Sequence, residues 1–365
     1  MMKTDIAIVG AGPAGLVAAL HAARAGAQVL LLERFPYLGG QLIKQTHKFF
    51  GSKSEYAGER GVDIARKLIA EVYASDRVTV WDDAGALGYY PDGVLTVRHR
   101  GEFRTVRPEK LVVATGAAEK SLVFPNNDLP GIYGAGAVQT LMNVYGVLPG
   151  KRLLMVGAGN IGVIVAYQLL QAGVEVAAIV EAGPTVGCYQ VHADKVARCG
   201  VPIYTSHSVK RALGGPSLEG AVICQLDSGW QPIPGSEKEF AVDGMCLAVG
   251  LSPLTELLWQ AGCQMSYVPE LGGNIPLRDD DLMTSRPGIY VAGDVAGIEE
   301  ASTAMVEGKI AGLAAALALG VGPAALRQEL AAAKQQLTAL RAGPLSTKIR
   351  SGLQKVTRAT LAEVI

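Results

Sequence analysis

Cysteine is scarce in this chain, and no two cysteines show the CxxC spacing of a redox disulfide or a zinc site. The five cysteines are Cys188, Cys199, Cys224, Cys246 and Cys263. A disulfide reductase needs a resolving thiol beside the first one, so this spacing argues against that mechanism and against a metal site. We expect reduced core thiols in a cytoplasmic protein. For Cys188 two interpretations stay open: a buried, idle thiol, which we favour, or a thiol whose pKa is lowered by the helix that follows.

Charge and long apolar runs are also sparse. Basic and acidic residues number 33 each, which gives a formal net charge of zero, and charged residues make up only 18% of the chain. No basic run is present, which argues against nucleic-acid binding. The most apolar helical stretch, residues 310–319, is shorter than the ~20 residues that a membrane span needs. An acid near the N-terminus, Asp5, argues against a signal peptide.

Glycine and apolar residues, in contrast, are abundant. The chain has 45 glycines and 49% hydrophobic residues in a length of 365. This composition is typical of a well-buried α/β protein with many tight turns. At ~100–200 residues per domain, the length predicts two or three domains.

A glycine-rich turn follows the first apolar run, 5–9, and precedes a helical pattern. Its GAGPAG letters match the GxGxxG motif, in which the glycines permit a tight turn, close approach to a pyrophosphate and helix–strand packing. A second strand, 28–32, ends in an acid about 20 residues on, where a carboxylate binds ribose hydroxyls. The predicted adenine-dinucleotide contacts here are Gly10, Gly12, Pro13, Ala14, Gly15, Glu33 and Arg34.

The same unit recurs later in the chain. A strand at 152–156 runs into GAGNIG, and the following strand, 175–180, ends in Glu181. An acid at this position hydrogen-bonds both free ribose hydroxyls and repels a 2′-phosphate, so we expect NAD(H) rather than NADP(H). The predicted NAD contacts are Gly157, Gly159, Asn160, Ile161, Gly162, Glu181 and Gly250.

A third motif lies near the end of the chain, where a buried strand, 289–292, runs into Gly293-Asp294 and a long Ala-rich helix begins near Glu300. A carboxylate here can accept hydrogen bonds from cofactor hydroxyls, and the helix adds its positive N-terminal end. The alternative is a generic strand–loop–helix with a surface aspartate. The stretch resembles the second FAD fingerprint of thioredoxin-reductase-like flavoproteins, which implies that Asp294 holds the ribityl chain.

Two further stretches resemble that class, the GGQL letters after position 38 and the ATG letters after position 113. The resemblance extends the predicted FAD contacts to Gly40, Gln41, Ala114, Thr115, Gly116, Gly293, Asp294, Glu300 and Ala301. The loop 38–52 then departs from thioredoxin reductase. Its Lys44 and His47 are candidate catalytic residues at a substrate or partner mouth, and a solvated basic loop is the alternative.

These motifs predict an α/β fold with two Rossmann-like dinucleotide-binding domains of three-layer ββα type, the NAD domain inserted in the FAD domain. We expect the FAD domain at 1–117 and 245–322, the NAD(H) domain at 118–244 and a helical tail at 323–365. Within the first part we expect a helix over 56–73 and a small antiparallel insert at 78–106. The tail should pack, dock a partner or serve solubility.

From about residue 242 to 320 the chain resembles the α, or A, subunits of heteromeric amino-acid and amine dehydrogenases of the opine oxidase, hydroxyproline dehydrogenase and hydrogen cyanide synthase type. The resemblance rests on the segments DGMCLAVGLSPLTELLWQAGC and TSRPGIYVAGDVAGIEEA. In that subfamily this subunit handles electrons while a separate flavoprotein subunit oxidises the amine. Many members carry iron–sulfur cysteines beyond this point, whereas no cysteine follows Cys263 here.

Three functional interpretations follow. The leading one is an FAD-dependent oxidoreductase that exchanges a hydride between NAD(H) and FAD and passes electrons to or from a partner protein or small acceptor. The second is the FAD-containing α-subunit of a heteromeric amino-acid or amine dehydrogenase. The third is a non-catalytic flavin-binding redox sensor or assembly module. We expect a homo- or hetero-oligomer.

Overall fold

The computed structural model describes residues 1–49 and 53–358. Its strands are β1 (Met2–Val9), β2 (Val29–Leu32), β3 (Val78–Trp81), β4 (Ala84–Tyr89), β5 (Leu95–His99), β6 (Glu102–Val113), β7 (Ala117–Glu119), β8 (Ile132–Gly134), β9 (Arg152–Val156), β10 (Glu175–Val180), β11 (Ile203–Tyr204), β12 (His207–Gly214), β13 (Leu218–Gln225), β14 (Lys238–Ala241), β15 (Gly244–Leu247), β16 (Leu251–Pro253), β17 (Met265–Val268), β18 (Gly273–Pro276) and β19 (Ile289–Val291). Its helices are α1 (Pro13–Arg24), α2 (Gly61–Ala74), α3 (Ala135–Asn143), α4 (Asn160–Gln171), α5 (Gln190–Arg198), α6 (Glu256–Gln260), α7 (Ala301–Ala318), α8 (Ala325–Leu340) and α9 (Thr347–Val356).

The chain divides into two units, one formed by residues 1–118 and 251–365 and the other by residues 119–250. The second boundary differs from the expected 244/245. The reason is that β15 pairs with β9 and β8, so the stretch after residue 244 first completes the sheet of the second unit. The predicted α/β architecture, with one dinucleotide-type unit inserted in the other, is present.

The first unit is built on a parallel sheet in the order β3-β2-β1-β6, with β19 also paired to β6. Helices α1, α2 and α7 cover one face in a single apolar cluster. The antiparallel strands β4 and β5, together with α6, cover the other face. Because both faces are buried, the central strands are apolar without alternation, as in β2, whose residues VLLL are all buried.

Two expectations in this unit need correction. The helix expected from residue 56 begins at Gly61, since Lys53–Glu55 forms a 3₁₀ turn and Tyr56 has φ +63°. The expected insert at 78–106 is not separate from the main sheet. Strand β3 pairs in parallel with β2, and β6 is one strand whose first half pairs with β5 and whose last residues pair with β19.

The second unit has a parallel sheet in the order β11-β10-β9-β15-β8 between two other layers. Alternate residues of β9 serve the two faces. Leu153 and Met155 pack in the cluster with α3, α4 and α5, and Leu154 and Val156 pack in the cluster with the antiparallel sheet β12-β13-β14. This is the predicted ββα layering.

The tail forms two helices with a break between them, as expected. Helix α8 buries Leu326, Ala333 and Leu337 in the same apolar cluster as α1 and α7. The backbone turns at Gly343-Pro344 before α9. Of the three roles expected for the tail, packing is therefore realised by α8 in the described residues.

Helices α1 and α7 approach closely because α7 carries glycines where it meets α1. A Cβ at Gly308 would lie 2.1 Å from the carbonyl oxygen of Ala14, and a Cβ at Gly312 would lie 2.4 Å from that of Ala18. Backbone cannot yield to such contacts as a flexible side chain can. Small residues at this spacing thus fix how far α7 sits from α1.

We expect Gly308→Ala to destabilise the protein by on the order of 2 kcal/mol, because the new methyl overpacks the α1–α7 contact. Helix propensity alone predicts the opposite sign, a gain of about 1 kcal/mol. Urea unfolding measures the difference. Gly343→Ala is the control, since its Cβ meets no atom within 4 Å. A stabilised Gly308→Ala would contradict the close helix contact.

Candidate functional site

The first glycine loop connects β1 to α1. Its three glycines allow a tight turn, close packing of the helix on the strand, and open backbone for a ligand. Gly10 has φ +102°, and a Cβ there would lie 2.3 Å from the oxygen of Ala114. A Cβ at Gly15 would lie 1.8 Å from the oxygen of Gly10. At Gly12 the nearest atom to a Cβ is 3.9 Å away, so the backbone there is open. A pyrophosphate can therefore reach the N-H groups at the start of α1.

The acid at the end of β2 closes this loop. Glu33 is 6% exposed. Its Oε2 accepts the N-H of Ala11 at 2.9 Å, and its Oε1 accepts the N-H of Phe35 at 3.1 Å. Each carboxylate oxygen keeps a further lone pair for a ribose hydroxyl. Arg34 is exposed, and its guanidinium lies 4.8 Å from the ring centre of Phe35.

Two more loops of the first unit meet the glycine loop at the carboxyl edge of the sheet. Gly40 opens the 3₁₀ turn Gly40–Lys44, and a Cβ on it would lie 2.7 Å from the Cα of Gly12. Gln41 in the same turn is exposed. After β6, Thr115 donates its hydroxyl to the oxygen of Leu254 at 2.7 Å, which fixes the Ala114–Gly116 segment. This edge, between β1 and β6, is where open α/β sheets bind ligands.

The third segment at this edge is the turn Asp294–Ala296 after β19, followed by the start of α7 at Ala301 with Glu300 as its N-cap residue. A Cβ at Gly293, which has φ +78°, would lie 3.0 Å from the Cβ of Ala14, so the turn packs on α1. Burial raises the pKa of Asp294 to about 7, and the carboxylates of Glu307 and Glu299 add to the rise. The side chain is thus poised between an acceptor-only carboxylate and a carboxyl that donates.

Three residues that the sequence did not assign to the site hold this turn. Glu307 accepts the N-H of Gly293 at 2.8 Å. Arg341, at the end of α8, pairs with Glu299 at 2.5 Å and with Glu307 at 2.6 Å. A signal was present for Glu307, because an acid inside an otherwise apolar helix needs a buried partner.

Lys44 and His47 lie on the same loop, at the end of the 3₁₀ turn Gly40–Lys44 and three residues after it. Lys44 ends the 3₁₀ turn, and the ring of half-buried His47 lies 6.1 Å from that of Phe49. Residues 50–52 of the same predicted mouth lie outside the described residues. A catalytic role of Lys44 and His47 stays a prediction.

The second glycine loop, between β9 and α4, repeats the first. A Cβ at Gly157 would lie 2.3 Å from the oxygen of Ala248, and one at Gly162 would lie 2.1 Å from that of Gly157. Gly159 has nothing within 4 Å. Glu181 accepts the N-H groups of Ala158 and Gly183, each at 2.8 Å. The open backbone and the acid again fit an adenine dinucleotide.

The other predicted residues of this loop divide between the helix and the edge of the sheet. Asn160 begins α4, and its Oδ1 accepts the N-H of Tyr189 at 3.0 Å. Ile161 is 46% exposed. Gly250 has φ +114° and accepts the N-H of Lys120 through its carbonyl oxygen. Their contacts with a nucleotide stay predictions.

Burial raises the pKa values of four cysteine thiols. Cys188 is buried, and burial raises its pKa, which favours the idle-thiol interpretation over activation by α5. Burial also raises the pKa of Cys224, Cys246 and Cys263. Within residues 1–49 and 53–358 there is no group of three or more metal-ligating side chains. No helix in the same ranges is long and apolar enough to cross a membrane.

Comparison with known proteins gives a family and a set of relatives. The family model described as pyridine nucleotide-disulphide oxidoreductase matches residues 4–308. The A subunit of opine oxidase from Agrobacterium tumefaciens (strain Ach5) is 30% identical, over 85% of this chain and 65% of that protein. The alpha subunit of sarcosine oxidase from Corynebacterium sp. (strain P-1) is 30% identical, over 87% of this chain and 33% of that protein. The HcnB subunit of hydrogen cyanide synthase from Pseudomonas protegens is 26% identical, over 88% of this chain and 72% of that protein.

Solved structures agree on the fold. L-proline dehydrogenase from P. horikoshii has a TM-score of 0.70 at 24% identity, covering 90% of this chain and 58% of that one. Thioredoxin reductase of T. acidophilum has a TM-score of 0.72 at 22% identity, covering 87% of this chain and 99% of that one. The resemblance expected from the sequence is confirmed. The chain spans less than two thirds of the length of the opine oxidase and sarcosine oxidase subunits.

We expect the pH dependence of stability to report on Asp294 in the FAD-free protein. Its folded pKa of about 7 lies above the ordinary value, so its contribution is complete below about pH 4 and is lost as the pH rises through 7. The loss reaches at most about 1.4 kcal/mol per pH unit. Urea unfolding of wild type and Asp294→Asn across this window measures it. A stability gap between the two proteins that does not change with pH would contradict the raised pKa.

We expect Arg341→Met to cost about 3–5 kcal/mol, because two buried carboxylates lose their cation. Arg327→Met, an exposed arginine on the same helix, is the control and should stay within about 0.5 kcal/mol of wild type. Chemical unfolding measures both. Equal stabilities of the two variants would show that the ion cluster does not hold the tail.

Proposed function

Because the chain belongs to the pyridine nucleotide-disulphide oxidoreductase family, we propose that it is an FAD-dependent enzyme that exchanges a hydride between NAD(H) and bound FAD and passes the electrons to or from a partner protein or small acceptor. The proposal rests on an arrangement that occurs in both units. In each, an open glycine loop donates a backbone N-H to a carboxylate, Glu33 in one unit and Glu181 in the other. Two such arrangements suit two dinucleotides rather than one.

We assign FAD to the first unit, since this unit places Asp294 and the N-terminus of α7 at the same sheet edge as its glycine loop. The open backbone at Gly12 would take the pyrophosphate, Glu33 a ribose and Asp294 the ribityl hydroxyls. The start of α7 would favour negative charge at the flavin edge that it faces. FAD, when bound, supplies the two-electron chemistry. The residues orient the ring and set its charge environment.

We assign NAD(H) to the second unit because of Glu181. Its carboxylate already holds the loop through two backbone amides, and its remaining lone pairs suit a ribose with both hydroxyls free. A 2′-phosphate beside it would be repelled. Hydride exchange then requires no protein acid or base, only that the nicotinamide C4 be brought to the flavin N5.

A second candidate function comes from the names of the relatives. The matched opine oxidase and sarcosine oxidase chains are both named as subunits, which supports a role as the FAD-containing α-subunit of a heteromeric amino-acid or amine dehydrogenase. In that case a second chain oxidises the amine, and this chain receives the electrons. The cysteines, which the structure leaves unpaired, fit a reducing compartment such as the cytoplasm.

The test is an anaerobic titration of the FAD-loaded chain followed by visible absorption. We expect NADH to bleach the flavin bands at a near-stoichiometric ratio without any second protein. Bleaching by an amino acid only in the presence of a co-purifying chain would support the subunit function instead. Bound FAD that neither reagent reduces would favour the redox sensor or assembly module.

We expect Glu181→Arg to move the preference from NADH towards NADPH by about 10-fold or more, because a charge-assisted bond to the 2′-phosphate replaces repulsion. Stopped-flow reduction rates with the two nucleotides give the ratio. Glu175→Arg, at the exposed start of the same strand, is the matched control. An unchanged NADH-to-NADPH ratio in Glu181→Arg would remove the ribose assignment.

A further inference from the structure

A cavity of about 310 Å³ lies in the first unit between the segment 278–282 and the tail helices. Its lining includes four cationic side chains, Arg278, Lys334, Arg341 and Arg350. Apolar side chains of Leu282, Ile310 and Leu337 form much of the remaining wall. No part of the proposed dinucleotide sites uses this cavity.

Three of the four cations are already engaged. Arg341 pairs with Glu299 and Glu307, and Lys334 pairs with Asp281 at 2.6 Å. Arg350 donates to the backbone oxygens of Arg341 and Gly343. These three therefore hold the tail in place, and their charges or donors are taken up by the protein.

Arg278 differs from the other three. It is 2% exposed, and its Nη1 is buried without a hydrogen-bond partner among the described residues. None of the ion pairs between described residues includes it. Its backbone is fixed on both sides, by the oxygen of Val356 and the N-H of Arg358. Burial lowers the pKa of this guanidinium, and the attraction of Glu307 and Glu299 offsets that effect only in part.

The carboxylates on the wall do not supply the missing counter-ion. Asp279 accepts the N-H groups of Asp281 and Met283 through Oδ1, so it caps its own turn. Asp280 is exposed at the rim. A buried guanidinium left without a partner costs several kcal/mol. Glu307 and Glu299 attract Arg278 electrostatically, but both carboxylates are paired with Arg341, and Nη1 of Arg278 keeps no hydrogen-bond acceptor among the described residues.

We propose that this cavity binds a small monocarboxylate with an apolar body, held by a bidentate contact to Arg278. The planar guanidinium fork matches a carboxylate. A carboxylate would give the buried Nη1 the acceptor that it lacks, and the leucine and isoleucine side chains suit a short hydrocarbon group. A bound carboxylate would join the 278–282 segment to α8 and so stabilise the docked tail. The site is independent of the hydride exchange proposed above.

The experiment uses the FAD-loaded chain, because free dinucleotide loops also bind anions. Isovalerate, acetate, phosphate and chloride are compared at matched ionic strength by thermal unfolding and by calorimetric titration. We expect a concentration-dependent rise in Tm with isovalerate, a smaller rise with acetate and none beyond chloride with phosphate. A rise with phosphate alone would overturn the carboxylate assignment.

Arg278→Met should lower the affinity for isovalerate about 10-fold or more, through loss of the charge-assisted bonds. Without any added carboxylate its Tm should equal or exceed that of wild type, since an unpaired buried charge is removed. Arg327→Met is the control and should keep the isovalerate response. An isovalerate response that survives Arg278→Met, or a Tm below wild type with no carboxylate response in wild type, would overturn the proposal.

Thr338→Phe provides a second variant in case Arg278→Met does not fold. Thr338 lines the cavity from the exposed side of α8, and a phenyl group there would occupy the space while leaving Arg278 in place. We expect it to abolish the isovalerate response while leaving flavin content unchanged. A full response in this variant would place the carboxylate elsewhere.

Discussion

The structure depends on one hydrogen bond that occurs twice, from a glycine-loop amide to the carboxylate that ends the second strand of each unit. The distances are 2.9 Å for Ala11 to Glu33 and 2.8 Å for Ala158 to Glu181. The bond turns the loop so that the backbone at Gly12 and Gly159 faces open space at a helix N-terminus. A pyrophosphate and a ribose can then be bound by one short segment, and the sheet, its covering helices and the flanking loops serve to hold that segment in place.

In the first unit, three further side chains hold the turn that contains Asp294. Glu307 holds the backbone at Gly293, and Arg341 from the tail neutralises Glu307 together with Glu299. The tail is therefore part of the site's support and not an appendage. Burial and these carboxylates set the pKa of Asp294. A change in how the tail docks would therefore alter this pKa through Arg341, Glu299 and Glu307.

Much of this was readable from the sequence, because glycine spacing and the acid after β2 and β10 are local patterns. The strands around both loops and the helix from Ala301 were predicted within one or two residues, except at β1 and β6. Long-range features were not readable. The continuity of β6 through two pairings, the role of Glu307 and the partner of Arg341 each depend on contacts between distant segments. The sequence does not predict the burial of Arg278, because its guanidinium is buried only when the tail folds against the 278–282 segment.

We propose that the chain has two separable dinucleotide sites, each organised by one acid. The most direct measurement is the nucleotide content and binding stoichiometry of wild type, Glu33→Gln and Glu181→Gln, by chromatography of released FAD and equilibrium dialysis with NADH. We expect one FAD and one NADH per wild-type chain, loss of FAD affinity in the first variant, and loss of NADH affinity with FAD retained in the second. Joint loss of both nucleotides in either variant, or wild type with a single site, would contradict it.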